Sequence, residues 1–133
     1  MSSAFFKGDI SPELEREALL FTGYDNDCIR VNQQPYNSSL CIHAGRLTAP
    51  WGPERLRDIT VESLEIFMDK EPEILIIGTG RTTAFPEPDA LQRLSERHIG
   101  FECMDSRSAA RTYNILLAEG RNVSAAMLLP GSR

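Results

Sequence analysis

The stretch ILIIGTGRTTAF, residues 74–85, carries the most suggestive chemistry of the 133-residue chain. An apolar run ends in Gly78-Thr79-Gly80, and Arg81 follows. Glycines at such an exit can bring bare backbone N–H groups against a phosphate. A dinucleotide fingerprint needs a third glycine and an immediate helix start, but Thr83-Ala84-Phe85-Pro86 intervenes. A P-loop needs Gly-Lys-Ser/Thr, and no such triplet follows. The plainer reading is that Gly78 and Gly80 take positive φ as the chain leaves a strand.

A second group of residues stands at Asp105, Ser106, Arg107, Arg111, Tyr113 and Asn114. Asp105 or Ser106 can cap a helix. Arg107 and Arg111 then fall in its first turns, where the helix dipole disfavours cations by about 0.3–1 kcal/mol. Together with Arg81 they can receive a carboxylate, a phosphate or an acidic partner surface. The competing reading pairs them with Asp105 and Glu102 as a solvated rim. Tyr113 and Asn114 fall mid-helix, where Asn is a poor helix former and points to a specific hydrogen bond, such as one to a neighbouring backbone.

Catalytic chemistry has little support, and no catalytic residue is assigned. Cys103 lies inside a strand and reads as buried and inert. His43 points from a strand face, and Ser106 and Ser108 have no histidine nearby in sequence. The cysteines Cys28, Cys41 and Cys103 are odd in number and form no C-x-x-C pair, which argues against a disulfide framework and a zinc site. No metal or cofactor is expected.

Fourteen basic against nineteen acidic residues give a net charge of −5. That balance disfavours nucleic acid as a partner. The first eight residues lack the pattern of a signal peptide. No apolar run approaches the ~20 residues of a membrane helix. The expected compartment is the cytoplasm.

The elements that would position these residues follow from periodicity. SPELEREALL reads as a short helix, with Ser11 as cap and Pro12 in the first turn. Cys28, Ile29 and Val31, then SSLCIHA, read as strands of a small antiparallel meander joined by NQQP. TAPWGPERLRDIT is a loop with at most one helical turn. From Thr60, as cap, the residues Val61, Leu64, Phe67 and Met68 repeat at helical spacing until Pro72. EILIIG is a strand covered on both faces. PEPDALQRLSERHIG is a helix with Leu91 and Leu94 inward, ended by Gly100. GFECM is a strand, DSRSAARTYNILLAEG a helix closed by Gly120, and NVSAAMLL the last strand, central or at an edge. The order predicts a single α/β domain over residues 1–133, with flexible tails at about 1–9 and 130–133. Its C-terminal core is a parallel βαβαβ unit with right-handed crossovers, and the N-terminal meander extends that sheet or packs beside it. Topology brings Gly78–Gly80 close to the start of the Asp105 helix, beyond the strand ends where such sheets bind ligands.

The segments PEILIIGTGRTTAFP and GFECMDSRSAARTYNILLAEGRNVSAAMLL resemble the domain of unknown function 498 family. That family includes the mitochondrial respiratory complex I assembly factor 3 and the adipogenesis-associated domain protein. The likeness runs from about Phe21 to Leu129, with PYNSSLCIHAGRLTAPW fitting the family's earlier half. Thr112-Tyr113-Asn114 with Glu119-Gly120-Arg121 is its most specific part. The resemblance implies a three-layer sandwich with a central mixed sheet and no established enzymatic activity. It implies a binding domain with a protein partner, assisting the assembly of a respiratory or membrane complex. The surface it implies comprises Gly78, Gly80, Asp105, Ser106, Arg111, Tyr113 and Asn114, to which Thr79, Arg81 and Arg107 are added here. The alternative is a protein or enzyme that binds a small anion or nucleotide in a cleft between the Gly78–Gly80 turn and the Asp105 helix start.

Overall fold

The computed structural model describes residues 18–133. The helix expected from Ser11 falls mainly on residues 11–17, outside the described residues. Ala18–Leu20 carry no regular structure.

Strand β6 (Ile74–Gly78) is the axis of the molecule. Its continuous apolar run is buried on both faces, as is that of β8 (Val123–Met127). β6 pairs in parallel with β7 (Gly100–Met104) on one side and with β8 on the other. β4 (Leu40–His43) adds to the far side of β8 in antiparallel sense, and β5 (Arg46–Thr48) adds to β4. The mixed sheet therefore has the order β5-β4-β8-β6-β7. NVSAAMLL thus supplies a strand interior to the sheet. A separate antiparallel sheet holds β1 (Phe21–Asp25), β2 (Cys28–Val31) and β3 (Gln34–Tyr36). The N-terminal meander is therefore divided, half extending the main sheet and half packing beside it.

Side chains alternate across the main sheet with period two. Ile42, Ile76, Ala125 and Met127 face helix α2 (Ser106–Ala118), through Ala109, Ala110 and Tyr113, and the small sheet, through Phe21, Ile29 and Val31. Cys41, Leu75, Ile77, Ala126 and Leu128 face the other way. There they meet Ala90 and Leu94 of α1 (Pro88–Glu96), with Leu64 and Phe67. The result is a three-layer α/β sandwich. Ala125 and Ala126 are small because both faces of β8 are crowded by a covering layer.

Three local expectations differ from the structure. Residues Glu62–Met68 form a 3-10 helix rather than an α-helix, and Thr60 does not cap it with its side chain. The Ser63 hydroxyl instead bonds the Thr60 backbone, accepting from its N–H and donating to its carbonyl. That local pairing competes with the α-helical ladder. α1 ends before Gly100. His98 takes the left-handed position at φ 58°, with N–H bonds from His98 to Ser95 and from Ile99 to Leu94. This is the Schellman closure usually given to glycine. Gly100 opens β7 instead. Leu94 points inward as expected, but Ala90 is its fully buried companion, and Leu91 is only half-buried. At the end of α2, Gly120 closes the helix as expected, at φ 80°, with Arg121 N–H bonded to the Leu116 carbonyl.

Residues 130–133, read from sequence as a flexible tail, carry specific bonds. The Arg81 N–H donates to the Ser132 carbonyl, the Gly131 N–H to the Asn26 carbonyl, and the Ser132 hydroxyl to the Glu54 carbonyl.

Candidate functional site

The Gly78 turn and the start of α2 do come together, as the topology requires, but they close on each other. The Gly80 N–H donates to Ser106 Oγ at 2.9 Å, and the Ser106 N–H donates to the Gly80 carbonyl at 2.9 Å. Asp105 caps the helix by accepting from the Ser108 N–H at 3.0 Å. Donors that a phosphate would need are therefore committed within the protein. Gly80 does take positive φ, at 98°, whereas Gly78 is absent from that region and is glycine for space. A Cβ on Gly78 would lie 2.8 Å from both Met127 Sδ and Ser106 Oγ. A Cβ on Gly80 would lie 2.5 Å from the Ser132 carbonyl oxygen. The C-terminal segment thus covers the turn that the anion reading left open.

Thr79 is buried and holds the following loop. Its Oγ1 lies 2.6 Å from the Thr82 carbonyl oxygen and 3.0 Å from that of Met104, and accepts from the Ala84 N–H. The loop it anchors presents Arg81 and Phe85 to solvent, and Phe85 is 65% exposed. Phe85 is not among the surface residues that the sequence nominates. The available signal was an aromatic between Ala84 and Pro86 with no apolar periodicity around it.

The two helix arginines find partners far away in sequence. Arg111 donates to the Tyr24 hydroxyl at 2.6 Å and to Ser108 Oγ at 3.3 Å. Arg107 donates to Asn26 Oδ1 at 3.0 Å and lies over the Tyr24 ring at 5.7 Å. Among the described residues neither reaches a carboxylate at ion-pair distance. The rim of Asp105 and Glu102 is thus replaced by the tip of the β1–β2 hairpin. Burial pulls the Asp105 carboxyl upward, but bonds from Ser108 and the charge of Arg111 outweigh it and hold the group below its usual value.

Tyr113 and Asn114 belong to the inner side of α2. The Tyr113 ring meets Phe21 edge-on, with centroids 5.4 Å apart, and burial pushes its hydroxyl up to about 12. Asn114 accepts from the Phe21 N–H at 3.0 Å and donates to the Phe21 carbonyl at 2.8 Å. This is the backbone bond its position predicted. Tyr113 also lines a cavity of about 430 Å³ with Leu19, Leu117 and Arg121. Arg121 is held there by a two-point pair with Glu73, whose carboxyl it keeps below the usual value.

Two of the three free thiols sit where the thiolate is disfavoured. Burial pushes the Cys41 and Cys103 thiols up to about 11, with Glu102 adding to the effect at Cys103. The described residues contain no cluster of His, Cys, Asp and Glu fit for a metal. No described helix is long and apolar enough to cross a membrane. The ten residues read as one surface therefore divide. Gly78, Thr79, Gly80 and Ser106 are buried supports, Asp105 is a cap, and Tyr113 and Asn114 are inward locks. Arg81, Arg107 and Arg111 remain at the surface.

The three-layer architecture is shared with solved structures. A Bordetella pertussis protein described as a Mth938-like domain is 32% identical, with a TM-score of 0.73 over 86% of this chain and 88% of that one. The family described as protein of unknown function DUF498/DUF598 matches residues 21–128, and the chain belongs to it. The mouse protein NADH dehydrogenase (ubiquinone) 1 alpha subcomplex assembly factor 3 is 36% identical over 92 residues, which is 68% of this chain and 50% of that protein. The chain thus spans about half the length of that relative. A Francisella tularensis protein named 13 kDa major membrane protein is 30% identical over 80% of this chain and 87% of its own length.

Proposed function

We propose that the domain is a non-catalytic protein-binding module that assists assembly of a membrane-bound respiratory complex. The observation that carries this reading is the 36% identity to a complex I assembly factor over two thirds of the chain. The geometry supports it, because thiols and polar hydrogen-bonding groups near the Gly78 turn serve the fold. The docking surface in this reading is the loop that carries Arg81 and Phe85, continued by Arg107, Arg111 and the exposed Ile115 of α2. Aromatic and arginine side chains are the types that dominate binding energy at protein interfaces. The three free cysteines fit a reducing compartment, and the reading places the domain in the cytoplasm.

The experiment is crosslinked affinity purification of the tagged protein from its own cells, beside the variant Arg81→Glu/Phe85→Ser. Both side chains are exposed, so the variant keeps the fold, which circular dichroism verifies. Subunits of a respiratory complex should come down with the wild type and be reduced at least fivefold with the variant. Recovery of no such subunit by the wild type would overturn the assembly role. Equal recovery by both would overturn the surface.

A further inference from the structure

A different pocket lies at the opposite edge of the main sheet. It is open to solvent, has a volume of about 260 Å³ and is lined by His43, Arg46, Thr48, Ile66, Asp69 and Lys70, among others. Its floor is the β4–β5 hairpin. His43 stands directly opposite Arg46, and Cys41 opposite Thr48. Arg46 and Thr48 are two apart on β5, so they share one face. Ala44 and Gly45, both at positive φ, close the hairpin in two residues and fix that register.

The opposite wall is tied to this floor by a buried histidine. His43 Nε2 lies 2.6 Å from the Asp69 carbonyl oxygen, which can only accept, so Nε2 carries the proton. Nδ1 lies 2.8 Å from the Ser124 hydroxyl and accepts from it in the neutral ring. The ring also meets Phe67 edge-on at 5.4 Å. Asp69 follows the 3-10 helix, and Lys70 comes next, at φ 57°. A non-glycine residue takes that conformation only where its surroundings enforce it. The backbones that carry Arg46 and Lys70 are thus held on two sides of one small space.

The cations of that space, Arg46 and Lys70, resemble Arg107 and Arg111 in having no carboxylate at ion-pair distance among the described residues. Arg93, Arg97 and Arg121 each pair with a glutamate. The lining sets two cations against the single carboxylate of Asp69, within a chain of net charge −5. The volume lies just below the roughly 300–1,000 Å³ of drug-sized ligand pockets, which limits the guest to something small.

We propose that this cavity binds a small oxyanion, a carboxylate or a phosphate group, between Arg46 and Lys70. The site is independent of the Arg81 and Phe85 surface, so either can fail without the other. The test is titration of the 15N-labelled protein with inorganic phosphate, with acetate in parallel and chloride as the ionic-strength control. Amide shifts at Ala44, Arg46 and Lys70 should saturate with phosphate or acetate, and the anion that saturates identifies the group. The double variant Arg46→Gln/Lys70→Gln should raise the apparent Kd at least tenfold while keeping the spectrum of the folded protein. Shifts that rise linearly with every anion would overturn the proposal. So would unchanged affinity in the double variant, or shifts centred on Arg81, Arg107 and Arg111.

Discussion

Asn114 holds the backbone of Phe21 at two points, although 93 residues separate them in sequence. The side-chain amide does for β1 what a neighbouring strand would do, satisfying one N–H and one carbonyl. It thereby joins the small sheet to α2, next to the contact between Phe21 and Tyr113. Tyr113 and Asn114 together seat the small sheet on α2.

Replacing Asn114 by Leu should therefore cost about 1–3 kcal/mol, because a part-buried N–H and carbonyl lose their partners. Asn114→Asp should be at least as harmful. It keeps an acceptor for the Phe21 N–H but sets a carboxylate oxygen against the Phe21 carbonyl. Urea unfolding measures the loss, and the Phe21 amide should exchange faster with solvent in both variants. Wild-type stability in Asn114→Leu would refute the role.

Asp105 makes the molecule acid-sensitive in a definable way. Its folded-state carboxyl lies below the ordinary Asp value of 3.8. A depressed folded value means that the ionised group stabilises the fold above the unfolded value. The contribution is lost as pH falls through the folded one. Asn also caps helices well, so Asp105→Asn should keep most of the stability at pH 7. Its stability should fall less than that of the wild type as pH drops below the ordinary Asp value of 3.8. Asp105→Ala should lose about 0.5–2 kcal/mol at neutral pH through the cap itself. Parallel pH curves for wild type and Asp105→Asn would exclude this account.

Gly80 is constrained twice, by its φ of 98° and by the Ser132 carbonyl. Gly80→Ala should destabilise by roughly 1–3 kcal/mol. Removing residues 131–133 should recover part of that loss in the variant, since the steric contact goes while the backbone strain remains. In the wild-type background the same truncation should destabilise, because Arg81 and Asn26 lose bonds to that segment. A thermal-melt double-mutant cycle reads the coupling, and strict additivity would show that the contact carries no energy.

The features legible in the sequence were those set by local rules or short periods. The apolar run of β6, the cap at Asp105, the glycine closure at Gly120 and the ill-fitting Asn114 all announced themselves. The 3-10 geometry after Thr60 was hidden because the hydrophobic spacing of Val61, Leu64 and Phe67 suits either helix. The choice lay with the Ser63 hydroxyl. His98 was hidden because nothing local marks a histidine for a left-handed position. The site was less legible than the fold. Arg107 and Arg111 choose between a carboxylate nearby and a hairpin more than 80 residues away, and only tertiary structure brings Tyr24 and Asn26 within reach. The closure of the Gly80 turn likewise depends on Ser132, 52 residues later, which no motif around Gly78 encodes.

The place of β8 bears on how the chain is made. β4 and β6 never pair with each other, and β8 alone joins them. A nascent chain that has emerged only as far as Asn122 therefore carries two sheet fragments with open inner edges, each apolar on both faces. Residues 123–127 must dock before either edge is covered. Until β8 docks, the open edges of β4 and β6 favour edge-to-edge aggregation of the partly folded chain. Truncation just before Val123 should therefore abolish the main sheet rather than merely trim its end.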